Sequence, residues 1–133
     1  MADDVVLNKA AVIGRCVARV REESGLDPAL EDVTRQDSVV LNLQRACQAA
    51  IDLAMRACRM DGLGIPQDSR DAFRLLIEAD VLPEPLGASM RSMVGFRNVA
   101  VHDYQTLSLP IVRAIVRGHL GDLEAFAAWA LRR

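Results

Sequence analysis

A chain of 133 residues, half of them apolar, is long enough to bury one ordinary core and too short to need more than one domain, taken as residues 1–133. Aromatic side chains are scarce, so Leu, Val, Ile, Ala and Met must fill that core, a mixture suited to helices packed closely on helices. The formal charge of −2 excludes the broadly basic surface usual among nucleic-acid binders, but leaves room for a local arginine patch, because Lys9 is the only lysine and a guanidinium grips phosphate through two parallel hydrogen bonds.

The first residues, Met-Ala-Asp-Asp, are acidic and lack the basic-then-apolar order of a signal peptide. No apolar stretch approaches the roughly 18 residues of a membrane span, so a cytoplasmic protein is expected. Residues 4–24 predict a first helix, with Val5, Val6, Ala10, Ile13, Val17 and Val20 near helical spacing and Gly25 as its stop. Residues 25–36 read as loop. A long second helix follows, capped by Asp37 or Ser38, with an apolar stripe of Val40, Leu43, Cys47, Ala50, Ile51, Ala54 and Cys58. The turn residues from Asp61 to Pro66 end it. Asp68 or Ser69 starts a short third helix through Asp80, with Phe73, Leu76 and Ile77 inward. A fourth runs from about Leu86 to about His102, with Met90, Met93, Val94 and Val101 on its apolar side. Pro110 opens a last helix that buries Val112, Ile115, Val116, Leu123, Phe126, Ala127 and Ala130, bent at Gly118 and Gly121. The expected fold is an all-α, up-and-down bundle of about five helices. Cys16, Cys47 and Cys58 are odd in number and lack C-x-x-C spacing, which argues against a disulfide framework or a zinc site.

Chemistry concentrates at the end of the fourth helix. Arg97, Asn98, His102, Asp103 and Tyr104 fall within eight residues. Arginine supplies a permanent positive fork for phosphate oxygens, and histidine moves a proton near neutral pH. Those two groups are the minimum for cleaving RNA without a metal, because the neighbouring 2′-hydroxyl is itself the nucleophile and charge must be stabilised on the phosphoryl oxygens. Asn98 and His102 share a helix face, where the amide can bond the imidazole or a phosphate. Arg97 and His102 differ by roughly 140° around a regular helix. Either the helix frays near Asp103 or a second copy of the chain completes the site; the homodimer is preferred because it supplies a second histidine. The bland readings are that His102 complements the helix dipole and that Arg97 pairs with a surface carboxylate.

The run Arg97-Asn98-Val99-Ala100-Val101-His102-Asp103-Tyr104 resembles the R-x4-6-H motif of the HEPN superfamily, and within it the R-N-x-x-x-H-x-Y form of HepT-like toxins. The likeness extends over nearly the whole chain: a long helix carrying Asn42-Leu43-Gln44 and Ala50-Ile51-Asp52, a short middle helix, the motif helix and a Pro-led final helix. The resemblance implies a metal-independent endoribonuclease, the toxin of a type VII-like toxin–antitoxin system. It also implies a homodimer in which both Arg-His pairs line one cleft, no cofactor, and an antitoxin partner of the minimal nucleotidyltransferase (MntA-like) type. By that likeness Arg97 and His102 are catalytic, Asn98 is the supporting polar residue, and Tyr104 receives adenylate from ATP.

Other polar residues have plainer readings. His119 falls in register with Val112, Ile115 and Leu123 and reads as a packed or interface histidine. Asp52 is either solvated or paired with Arg56 at i+4, and its position beside the apolar stripe permits an approach to Arg97 or His102. Trp129 reads as packing on the bundle or a partner. Glu78 and Asp80 read as surface residues. No carboxylate–histidine cluster has metal-ligand spacing, so no metal is expected. Two rivals stand beside the nuclease: a non-catalytic helical nucleotide- or RNA-binding module partnering a nucleotidyltransferase, and a plain interaction domain. The first would be expected to lose Arg97 or His102; the second would not need Arg97, Asn98, His102 and Tyr104 together.

Overall fold

A computed structural model describes residues 3–133. Six helices follow one another: α1 (Asp4–Leu26), α2 (Val33–Met60), α3 (Ser69–Glu78), α4 (Glu84–His102), α5 (Leu109–Gly118) and α6 (Leu120–Leu131), with a 3₁₀ turn at Tyr104–Thr106 between α4 and α5. No strand occurs among the described residues. The longest helix, α2, packs against α1, α3, α4 and α6. Its position follows from its stripe, since Val40, Leu43, Cys47, Ala50, Ile51, Ala54 and Cys58 are all buried, and a helix apolar along most of one side must be covered from several directions.

The caps explain where the helices begin. The Asp3, Asp32 and Asp68 carboxylates accept hydrogen bonds from the amides of Val6, Arg35 and Asp71 at 3.0, 3.1 and 2.8 Å, satisfying donors that no preceding turn can reach. Pro85 and Pro110 lie in the first turns of α4 and α5, where a missing N–H costs nothing. The second helix therefore starts earlier than its apolar stripe suggests. Asp32, not Asp37 or Ser38, is its cap, and residues 33–36 are helical rather than loop. The short loop before it is pinned: Asp27 accepts from the Asp32 amide, Arg113 of α5 donates to the Ala29 carbonyl at 2.7 Å, and Leu30 is fully buried with a left-handed φ of 52°. A leucine held in that region is strained, and its burial offsets the cost.

The C-terminal helix expected to bend is broken instead. His119 leaves α-helical geometry at φ −128°, ψ 0°, between two glycines that stabilise helix poorly. His119 is exposed, with its Nδ1 3.0 Å from Asp122 Oδ2, so of its two readings, packed or interface, the packed one does not hold. Two valines also depart from expectation: Val5 and Val101 are 49% and 41% exposed, each near an end of its helix. Trp129 does pack on the bundle, its indole N–H donating to the Val81 carbonyl at 2.7 Å and its ring stacked on Phe126. Phe126 in turn meets Phe73 edge to face, joining α6 to α3.

The close approach of α4 to α3 depends on Gly87, where a Cβ would run into the Ile77 side chain and press on Leu82. Gly87→Leu should therefore force α4 off α3 and cost about 1–3 kcal/mol. Thermal denaturation should show the midpoint falling by several degrees, whereas Gly121→Ala, where an added Cβ meets nothing within 4 Å, should not lower it.

Candidate functional site

Arg97 shares the inward stripe of α4 with Met90, Met93, Val94 and Ala100, which are buried. That register carries its side chain along α2 rather than out to solvent. One terminal nitrogen, Nη2, donates to Gln48 Oε1 of α2 at 2.6 Å, and the other, Nη1, donates to Asn98 Oδ1 at 2.9 Å. Nε is buried without a partner. Both acceptors are neutral amide oxygens, so the guanidinium is held in place with its charge not directly paired to a carboxylate. Behind Gln48 the contacts continue: its Nε2 donates to Asp52 Oδ1 at 2.9 Å, and Lys9 of α1 donates to Asp52 Oδ2 at 2.8 Å. Asp52 thus pairs with Lys9 and Gln48 instead of Arg56, which bonds Asp3, and it approaches Arg97 only through the intervening amide. The neighbouring Cys47 thiol is pushed up to about 12 by burial, against a smaller downward pull from Arg97, so it stays protonated and takes no part as a nucleophile.

His102 closes α4 and is exposed. The helix remains regular to its end, because the Asp103 amide still bonds the Val99 carbonyl at 2.9 Å. Fraying near Asp103 therefore does not bring the pair together. Within one protomer the guanidinium points along α2 while the imidazole stands at the solvent edge, in keeping with their separation around the helix. Asn98 faces Arg97, not the imidazole.

Tyr104 opens the 3₁₀ turn after α4 and is 46% exposed. Its phenol donates a hydrogen bond to the Asp37 carboxylate of α2. That bond is the main reason the phenol is pushed up to about 12, with burial and the nearby negative charge adding to it. Asp37 lies outside the expected motif, and so do Gln48 and Lys9. Nothing in spacing marks them: Asp37 reads as a cap, and Gln48 as one polar residue on a helix flank. Among the described residues, no group of three His, Cys, Asp or Glu side chains is placed to hold a metal ion, and no helix is long and apolar enough to cross a membrane.

Beside the motif helix lies a groove of about 1060 Å³ between α4, α5 and the start of α6, lined by apolar residues including Phe96, Val99, Ile111 and Ile115, with Ser89, His119 and Asp122 at its polar end. Ser89 and His119 both meet Asp122 Oδ2, at 2.6 and 3.0 Å.

A helical bundle that ends one helix in Arg-Asn-x-x-x-His, followed by a tyrosine, has the build of a HEPN-type domain. A family model described as ribonuclease HepT-like matches residues 12–128. The chain is 48% identical over 125 residues to the mRNA nuclease HepT of Shewanella oneidensis, covering 93% of this chain and 94% of that one. Its structure superposes on a tri-AMPylated Shewanella oneidensis HEPN toxin, solved in complex with an MNT antitoxin, with a TM-score of 0.92, 45% identity and coverage of 99% of this chain and 100% of that one. A tyrosine-to-alanine mutant of the MntA-HpeT toxin–antitoxin pair matches with a TM-score of 0.91 at 44% identity, over 98% and 100% of the two chains. The chain belongs to the ribonuclease HepT-like family.

Tyr104 is the only tyrosine, so its ionisation can be followed directly by near-ultraviolet absorbance. Asp37→Asn should move the phenol from about 12 back toward its ordinary value of about 10. Because the folded value is raised, the contact stabilises the fold below the unfolded value of about 10 and is lost as pH climbs through the folded one. An unchanged titration curve in Asp37→Asn would show that the carboxylate does not hold the phenol.

Proposed function

We propose that this chain is the toxin of a toxin–antitoxin pair: a cytoplasmic endoribonuclease, a single domain over residues 1–133, that cuts RNA with Arg97 and His102 and works as a homodimer. The observation that carries the reading is the Arg97 guanidinium, oriented by two neutral oxygens at the end of the motif helix. A cation so held keeps its charge for phosphoryl oxygens on which negative charge grows during cleavage. His102, exposed at the end of α4, is the group for the 2′-hydroxyl proton. The ribose oxygen attacks phosphorus, and the 5′-oxygen leaves with a proton from a second imidazole. Each chain offers one histidine in this motif, so that second group comes from another copy. Asn98 supports the site by holding Arg97.

The second copy is also the proposed occupant of the groove beside α4. That surface is apolar, it borders the motif helix, and the proposed reaction needs a second imidazole. Val99 and Ile111, 36% and 54% exposed on its walls, would be covered, as apolar residues at dimer seams are.

The partner is a nucleotidyltransferase antitoxin of the MntA type, by the association named for the Shewanella oneidensis toxin. It silences the nuclease by adenylating Tyr104. The phenolic oxygen attacks the α-phosphorus of ATP, pyrophosphate departs, and the phenolic proton passes to a base. The product places bulk and a negative phosphodiester two residues from His102, where an RNA backbone would be both repelled and excluded. Metal plays no role in cleavage on this reading.

Purified protein should cleave RNA without the antitoxin and equally well in excess EDTA. Arg97→Ala and His102→Ala should each slow cleavage by at least about 100-fold; variants that cut at the wild-type rate would place the chemistry elsewhere. Incubation with antitoxin and ATP should add adenylate mass that disappears in Tyr104→Phe, and Ile111→Asp should shift the chain from dimer to monomer in light scattering.

A further inference from the structure

We propose that Gln48 is a positioning residue for the cleavage reaction, a neutral adaptor whose amide orientation is set by Asp52 and Lys9 so that its oxygen always faces Arg97. The inference rests on the nuclease reading above and adds residues that neither the motif nor its neighbours in sequence contain.

The amide's orientation follows from which atoms can donate. A guanidinium only donates and a carboxylate only accepts. Gln48 lies between one of each, with Oε1 2.6 Å from Arg97 Nη2 and Nε2 2.9 Å from Asp52 Oδ1. Only one orientation of the amide satisfies both ends; the flipped form would set an NH₂ group against the guanidinium and an oxygen against the carboxylate. Gln48 and Asp52 are one turn apart on α2, and the Lys9 ammonium on α1 fixes the far carboxylate oxygen at 2.8 Å. Three helices thus converge on the orientation of one guanidinium.

The neutrality of the adaptor matters as much as its shape. A carboxylate in direct contact with Arg97 would hold it equally well, but would form an ion pair and spend its charge before RNA arrives. Gln48 keeps the Asp52 charge one side chain away. Two of the guanidinium's N–H groups are used by Gln48 and Asn98, and the remaining terminal N–H groups stay available for phosphate oxygens.

Gln48→Glu separates this role from a structural one. The charged groups that face position 48 are Lys9 on α1, Asp52 on α2 and Arg97 on α4. When ionised, the substituted carboxyl pairs with Arg97 and repels Asp52. Direct contact with Arg97 keeps that carboxyl ionised through the working pH range, so it still holds the guanidinium but neutralises its charge. Gln48→Glu should therefore lower kcat at least about tenfold at pH 7 while the thermal midpoint stays within about 3 °C of wild type. Gln48→Ala, which frees the guanidinium without neutralising it, should lower kcat less than Gln48→Glu does.

Wild-type kcat in Gln48→Glu overturns the proposal, as does a fall in kcat that tracks a fall in the thermal midpoint. Arg97→Ala, assayed alongside, tells the two failures apart. If Arg97→Ala is inactive while the Gln48 variants behave as wild type, the adaptor is wrong and the nuclease site stands. If Arg97→Ala cuts normally, the nuclease site itself is wrong. Should Gln48→Ala fail to fold, the kcat of Gln48→Glu, whose side chain is the same size, still decides.

Discussion

The packing of α4 against α2 is the contact on which the rest depends, because it determines where Arg97 points. The same inward stripe that buries Met90, Met93, Val94 and Ala100 brings the guanidinium to Gln48. Had the arginine fallen elsewhere on the helix, it would be a freely moving surface cation. Instead two amide oxygens fix it at modest cost, since neutral hydrogen bonds hold a charge without cancelling it.

The constraint has a second side. A regular α4 cannot turn both Arg97 and His102 the same way, and the intact hydrogen bond from the Asp103 amide to Val99 removes local unwinding as an escape. Under the proposed dimer, two copies supply what one helix does not. The 3₁₀ turn then places Tyr104 beside the same helix end, tied to Asp37 of α2. Arg97 and Tyr104 are thus both tethered to one long helix, through Gln48 and Asp37.

Much of this was legible in sequence, and the exceptions share a cause. The α2 stripe could be read because burial on one side of a long helix leaves an unambiguous 3.6-residue pattern. The motif could be read because arginine, asparagine, histidine and tyrosine at that spacing have few other reasons to coincide. The start of α2 was hidden because Asp32 and Asp37 are equally good caps by composition, and the choice is made by a loop that Arg113 and Leu30 pin from elsewhere in the fold. In sequence the break at His119 looks like a bend, since two glycines weaken a helix without saying whether it ends. Val101 continues an apolar pattern past the point where other helices cover it. Gln48 and Asp37 could not have been identified, as their partners lie 49 and 67 residues away, and only tertiary packing makes them neighbours.

The most direct test of the account is a crystal structure of the protein with an oligoribonucleotide blocked by a single 2′-deoxy substitution at the cut site. The account predicts the scissile phosphate between two copies of the chain, with an Arg97 terminal nitrogen and His102 imidazoles from the pair within about 3 Å of its oxygens or the 2′ position. A scissile phosphate seated on one protomer, out of reach of either group, would contradict it.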